Sequence, residues 1–339
     1  MEYRRMGRSG LRVSEVCLGT MTFGHGTDGS TAGKIVDLAF DAGINFFDTA
    51  NSYSEGLSEE YLGKALKGRR RDAVVATKFS NPMGPGPNDG GMSRVHIMQA
   101  IEDSLRRLQM DYVDLYYIHH VDVDCPMEEM LRAMDDLVTQ GKVRYTACSN
   151  YQAWRLMECL WLSDHNDLAR FECYQPQYSL VVRDIEQELL PICDYKGLGV
   201  VCWAPIAGGF LSGKYKPGER TMAGTRSEEA WAYPKRIFSA NADEILRTQL
   251  AVADDTGRSP AQVALRWAVQ RPGITSIITG ARTLEQARDN MLTGSFLLSD
   301  EHMRLLDEVS YLPQRYPEEM ERGWQERRDG AVSMPGLEL

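Results

Sequence analysis

Four side chains of complementary chemistry stand where short apolar runs give way to polar segments: Asp48, Tyr53, Lys78 and His119. Asp48 follows "INFF" and Tyr53 lies just past it in "NFFDTANSYSEG" (45–56), Lys78 closes "AVVATK" (73–78), and His119 closes "VDLYYIH" (113–119). A phenol with a pKa of about 10 is a poor acid near neutrality, but a neighbouring ammonium favours phenolate and draws that value down. An aspartate would keep the lysine charged and oriented, and an imidazole would add a hydrogen bond to the same developing alkoxide. This is the equipment for reducing a carbonyl group, lacking only a hydride. Each residue also admits a plainer reading: Asp48 and Lys78 as a structural ion pair, Tyr53 as a packed surface ring. The argument for a site is their convergence on one rim.

The elements that would position them repeat. Strand candidates are "VSEVCLGT" (13–20), "INFFDTA" (44–50), "AVVATK" (73–78), "VDLYYIH" (113–119), "VRYTACSN" (143–150), "FECYQPQYS" (171–179), "GVVCWAP" (199–205) and "ITSIITG" (274–280). Amphipathic helical patterns fill the gaps, for example at 31–43, 58–68, 93–109, 127–141 and 259–270. Strands apolar at nearly every position imply burial on both faces, hence a parallel sheet covered by helices. Eight such units over roughly 250 residues fit an α/β fold of the closed (β/α)8 TIM-barrel type. The competing open doubly wound sheet lacks its G-x-G-x-x-G after the first strand. In a barrel the strand ends carrying Asp48, Lys78 and His119 share one mouth.

Three segments fall outside this rhythm. Residues 1–16 read as an N-terminal β-hairpin around "GRSG" that would plug the barrel floor. "NPMGPGPNDGGMSR" (81–94) and the stretch 206–239 after the seventh strand read as long loops at the mouth. The expectation is one domain over 1–339, with a charged tail at 312–339.

The chain of 339 residues is 43% hydrophobic and 25% charged, the composition of a globular protein with a large core. Its 38 Lys and Arg against 48 Asp and Glu give a net charge of −10, which argues against sequence-independent binding of nucleic acid or of an anionic membrane. The seven cysteines include no C-x-x-C pair and read as reduced core residues. With no signal-peptide pattern and no run approaching a membrane span, a cytoplasmic location is expected.

The stretches "GINFFDTANSYSEGLSEEYLGKAL", "VVATKF", "DYVDLYYIHHVD", "SNY" (149–151), "YQPQYSL" (174–180) and "WAPIAGGFLSGKY" (203–215) resemble the aldo-keto reductases, most closely the branch of bacterial general reductases and potassium-channel β subunits. The resemblance runs from the hairpin to "GARTLEQARDN" (280–290). It implies that Asp48, Tyr53, Lys78 and His119 form a catalytic tetrad with Tyr53 as proton donor. The family pattern selects His119 over the adjacent His120. A metal set of His119, His120, Asp122 and Asp124 would need ligands from other strands and would face repulsion from Lys78.

The hydride would come from NADPH, since nicotinamides carry chemistry that side chains cannot. Ser149, Asn150 and Gln175 match the family positions that hold the carboxamide, or else they are ordinary strand-end caps. Trp203 is placed to stack on the nicotinamide or to serve as core. Gly209, Leu211, Gly213 and Lys214 of "GGFLSGKY" would meet the pyrophosphate, unless that loop is a plain connector. Gly280 opens the adenosine segment, where Arg282 would grip a 2′-phosphate and Gln286, Asp289 and Asn290 would share a helical face; an amphipathic surface helix looks similar. Many relatives carry Lys-Ser and a further Arg where this chain has Gly280-Ala281 and Gln286, which leaves Arg282 as the main cation.

The leading expectation is therefore an NADP-dependent oxidoreductase acting on a small-molecule carbonyl substrate. The alternatives are a nicotinamide-binding, redox-sensing regulatory subunit and a reductase of a keto-sugar nucleotide or other secondary metabolite, the latter suited to an open 81–94 loop. The absence of a long extension before the hairpin favours the enzyme. Phe23, Phe79, Tyr151 and Trp231 are expected to line the substrate pocket.

Overall fold

The computed structural model describes residues 1–220, 241–313, 315–321 and 324. Strands β1 (Tyr3–Arg5) and β2 (Arg12–Ser14) pair antiparallel as a hairpin. The remaining strands are β3 (Val16–Gly19), β4 (Phe46–Asp48), β5 (Val74–Phe79), β6 (Val113–Ile118), β7 (Val143–Ser149), β8 (Phe171–Gln175), β9 (Gly199–Cys202) and β10 (Ser276–Thr279). They are parallel and close into a barrel in the order β10-β3-β4-β5-β6-β7-β8-β9. The helices are α1 (Gly29–Asp41), α2 (Leu57–Ala65), α3 (Arg94–Leu108), α4 (Met127–Thr139), α5 (Ala153–His165), α6 (Leu189–Lys196), α7 (Ala242–Thr256), α8 (Pro260–Gln270), α9 (Leu284–Met291) and α10 (Asp300–Val309). This is the (β/α)8 barrel with an N-terminal hairpin that the sequence pattern implies.

Local chemistry sets the element boundaries. Helix α8 starts on a capping box, with Ser259 and Gln262 satisfying each other's backbone and Pro260 in the first turn. The first strand candidate, 13–20, divides at Glu15: Val13 and Ser14 belong to the hairpin, and the barrel strand begins at Val16. The sixth, 171–179, stops at Gln175 because Pro176 has no N–H for the ladder, and pairing resumes only as a Gln177–Trp203 bridge.

Period-two alternation divides the core into two. Outward residues pack under the helices, while Cys17, Phe46, Val74, Ala76, Leu115, Tyr117, Ala147, Cys173 and Val201 fill the barrel interior. Met6 and Val13 of the hairpin join this interior cluster, so the hairpin plugs the floor. Burial of each large side chain there contributes roughly 1.5–3 kcal/mol. The seven cysteines are unbridged, and six of them are buried.

Candidate active site

The interior alternation fixes what stands at the mouth. Two residues above Phe46 comes Asp48, above Ala76 comes Lys78, above Tyr117 comes His119, above Ala147 comes Ser149, above Cys173 comes Gln175 and above Val201 comes Trp203. The strand ends therefore present a polar layer over an apolar floor.

Lys78 is fully buried, and its ammonium donates to the Asp48 carboxylate, to the Thr49 carbonyl (2.7 Å) and to the Tyr53 hydroxyl (3.3 Å). All three of its donors are directed. Burial works against the charged amine, but the charges of Asp48 and Tyr53 and their hydrogen bonds outweigh it, so the Lys78 pKa is raised. Gln175 Nε2 donates to the second Asp48 oxygen at 2.9 Å. The Tyr53 ring meets His119 edge-on, with centroids 5.7 Å apart, and His120 stacks on His119 at 4.6 Å. Burial, then Lys78 and His120, push the His119 pKa well below its usual value, which leaves a neutral imidazole.

Tyr53 reaches this position on a constrained turn. Ser54, Glu55 and Gly56 all take positive φ (49°, 55° and 93°), at a cost of about 1–3 kcal/mol for each of the two non-glycine residues. Surrounding contacts hold the turn: Ser54 Oγ donates to the Phe23 carbonyl (2.8 Å), and Ser58 Oγ donates to the Thr20 carbonyl (2.8 Å). A side chain at Gly56 would strike Arg107, whose Nε donates to buried Glu59 (2.6 Å); the other Glu59 oxygen accepts from Thr77 Oγ1 (2.5 Å). Thr77 adjoins Lys78, so this network ties the Tyr53 turn to the strand bearing the ammonium.

The other sequence-selected residues divide into mouth and packing positions. Ser149 is buried and donates to the Gln175 carbonyl (2.7 Å). Asn150, at φ 61°, donates to the His119 carbonyl (3.0 Å) and accepts from Trp203 Nε1 (3.2 Å). Gly209, at φ 104°, has open space where a side chain would begin; Gly213 rests against Pro260, and Lys214 is exposed. Leu211 is buried, its carbonyl accepting from Gln249 (2.8 Å). Arg282 lies beside Gly26, and its backbone N–H donates to Gln286 Oε1 (2.9 Å). Asn290 Nδ2 donates to the Gly280 carbonyl (3.0 Å), and the Asp289 carboxylate accepts from Ser259 (2.6 Å) and Gln262 (2.8 Å) of α8. Asp289 and Asn290 thus brace elements of the fold.

The mouth has a gap in its polar layer. Gly19 and Gly280, two residues above Cys17 and Ile278, contribute no side chain, and Ile278 beneath them is partly accessible. A side-chain-free edge at a mouth that also carries the Asn150 and Gln175 amides and the Ser149 hydroxyl oxygen, with Trp203 just past the neighbouring strand, fits a flat, amide-bearing ring. Among the described residues, no three His, Cys, Asp or Glu side chains come together as a metal set.

Four sequence expectations change. Phe79 follows inward Lys78 and so points outward, stacked on Tyr116 at 4.8 Å; Phe23 is fully buried, and Tyr151 is buried with its hydroxyl on Met92 Sδ (3.5 Å). None of these three lines a pocket, and Trp231 lies outside the described residues. The 81–94 loop is folded on itself: Met83 N–H donates to Asp89 O (2.8 Å), Gly91 N–H to Ser80 O (2.8 Å) and Met92 N–H to Asp122 Oδ2 (3.2 Å). Sequence reasoning also missed Asn81, which donates to Ser52 Oγ (2.9 Å) and faces His119 Nδ1 (3.4 Å). Its signal was an amide two residues past a strand end and directly before a proline.

The family model described as "Aldo/keto reductase family" matches residues 15–311. The chain is 41% identical over 325 residues to "Uncharacterized oxidoreductase YrpG" of Bacillus subtilis (strain 168), spanning 91% of this chain and 96% of that protein. It is 37% identical over 302 residues (86% and 90% of the two chains) to a probable voltage-gated potassium channel subunit beta of Arabidopsis thaliana. A putative voltage-gated potassium channel subunit beta of Schizosaccharomyces pombe is 34% identical over 319 residues (91% and 92%).

Proposed function

The chain belongs to the aldo/keto reductase family, and from that premise we propose that this oxidoreductase uses NADPH to reduce an aldehyde or ketone to an alcohol, with Tyr53 as the proton donor. The observation that carries the reading is the Lys78 ammonium, shared among the Asp48 carboxylate, the Thr49 carbonyl and the Tyr53 hydroxyl.

When bound, the dihydronicotinamide supplies the hydride. The side chains supply the proton and the electrostatics. Tyr53 Oη gives its proton to the carbonyl oxygen as the C=O bond becomes C–O–H, and the phenolate left behind is stabilised by Lys78, 3.3 Å away. Asp48 keeps that ammonium charged and aimed, and Gln175 holds Asp48. His119, neutral, donates a hydrogen bond to the same oxygen without competing for the proton.

The residues that would hold the dinucleotide run along one side of the mouth. Ser149, Asn150 and Gln175 offer donors and acceptors for the carboxamide, and Trp203 offers a ring face. Gly209, Leu211 and Gly213 would approach the pyrophosphate through backbone, with Lys214 adding charge. Arg282, with Gly280, Gln286, Asp289 and Asn290 shaping its segment, would meet the 2′-phosphate.

The similarity to proteins named as potassium channel β subunits favours one second reading, a nicotinamide-binding regulatory subunit. Stopped-flow oxidation of protein-bound NADPH by a panel of aldehydes and ketones separates the two. Oxidation at rates typical of enzymes, on the order of 1 per second or faster, supports the reductase. Binding without carbonyl-dependent oxidation supports the regulatory subunit. The hydrogen-bonded 81–94 loop does not distinguish a keto-sugar nucleotide or other secondary metabolite from a simpler carbonyl substrate.

A further inference from the structure

We propose that Asn81 is a positioning residue that sets the tautomer of His119, keeping Nδ1 unprotonated and the proton on Nε2, where it is available to the carbonyl oxygen of the substrate. The inference rests on the proposed carbonyl reduction for its use, but not for its geometry.

Ser80, at the top of β5, takes φ 105°, and this turn brings the Asn81 side chain over the mouth. Two hydrogen bonds hold the turn: Ser80 Oγ accepts the His120 backbone N–H (2.9 Å), and Ser80 O accepts the Gly91 N–H (2.8 Å). From there Asn81 Nδ2 spends one hydrogen on Ser52 Oγ (2.9 Å) and directs the other at His119 Nδ1 (3.4 Å). The His119 main chain is fixed on both sides, its N–H donating to Phe79 O (2.9 Å) and its carbonyl accepting Asn150 Nδ2 (3.0 Å). Its ring stacks on His120 and makes a T-shaped contact with Tyr53.

A neutral imidazole has one donor nitrogen and one acceptor nitrogen. An amide N–H aimed at Nδ1 is satisfied only if Nδ1 is the acceptor, which leaves Nε2 as the donor. The opposite tautomer would set two N–H groups against each other. The Ser52 bond matters because it tethers the Asn81 side chain beside the imidazole. Ser52 immediately precedes Tyr53, so the proton donor and the orientation of its helper imidazole are anchored on one turn. Without Asn81, His119 would divide between tautomers, and the fraction carrying its proton on Nδ1 would offer the substrate oxygen a lone pair instead of a donor.

Long-range 1H–15N correlation spectra of the full-length chain labelled with 15N-histidine read the tautomer directly, with the His119 signal assigned by its loss in His119→Gln. The expected wild-type spectrum shows Nε2 protonated and Nδ1 unprotonated. Asn81→Leu should give a mixed signal, with kcat lowered roughly tenfold and the KM for NADPH changed less than about twofold. Asn81→Asp, which offers only an acceptor when ionised, should move the proton to Nδ1. A wild-type spectrum with Nδ1 protonated overturns the proposal even if neither variant folds, as does a His119 signal unchanged in both variants. The spectra are recorded without substrate turnover, so they stand apart from the reductase assignment. A protein that lacks carbonyl reduction but shows the Asn81-dependent signal retains this inference and loses that one.

Discussion

Gln175 on β8 donates its side-chain amide to Asp48 on β4, at 2.9 Å, across the full width of the barrel. In the closed order β10-β3-β4-β5-β6-β7-β8-β9 these strands lie opposite each other, so the contact spans the interior just above the Tyr117–Cys173 layer. It satisfies the Asp48 oxygen that Lys78 leaves free. Replacing Gln175 with Met should cost about 1–3 kcal/mol of stability by leaving a buried carboxylate oxygen without a donor. Urea unfolding of the two proteins measures this, and equal stabilities would show that the contact is idle.

Removing Lys78 should separate stability from chemistry. Lys78→Met strands a buried carboxylate and should destabilise by about 3–5 kcal/mol while abolishing turnover. Adding Asp48→Asn to that variant should restore much of the stability and none of the activity. Recovery of carbonyl reduction in the double variant would remove the ammonium from the mechanism.

The histidines give the protein an acid-sensitive window. His96, His119 and His120 are all lowered, with burial the largest cause in each case. Between the lowered folded values and the unfolded value of about 6.5, the unfolded chain binds more protons, so stability rises with pH there and falls on acidification. The denaturant midpoint should therefore drop from pH 7.5 to pH 5, and drop less in His119→Gln. A midpoint as steep in the variant as in the parent would remove His119 as a source of the slope.

Cofactor choice should rest on Arg282. Arg282→Ala should weaken NADPH binding by roughly 10- to 100-fold, the worth of one charge-assisted pair, and leave NADH binding within about twofold. Isothermal titration with each dinucleotide decides, and an undiminished preference for NADPH would place the phosphate elsewhere.

The barrel was legible because each strand is a short apolar run ending in a polar residue, and such a run has few other homes than a sheet buried on both faces. The same rule places Asp48, Lys78 and His119 at one mouth from the sequence alone. It also held the information that would have kept Phe79 out of the pocket, since the neighbour of an inward residue points outward. Gln175's reach to Asp48 was not legible, because it exists only once β4 and β8 face each other across a closed barrel. Nor was the fold of residues 81–94, where Pro and Gly signal irregular backbone without saying whether it folds back on itself. Asn81 was not legible for a related reason: a single amide gains meaning only from the imidazole and hydroxyl that the turn at Ser80 brings to it.

The most direct test of the account replaces Tyr53 with Phe and follows a single turnover of bound NADPH with an aldehyde that the parent protein reduces, with the cofactor dissociation constant measured separately. The account predicts a rate lowered by roughly 10²- to 10⁴-fold with cofactor affinity within about twofold. A rate equal to the parent's would contradict it.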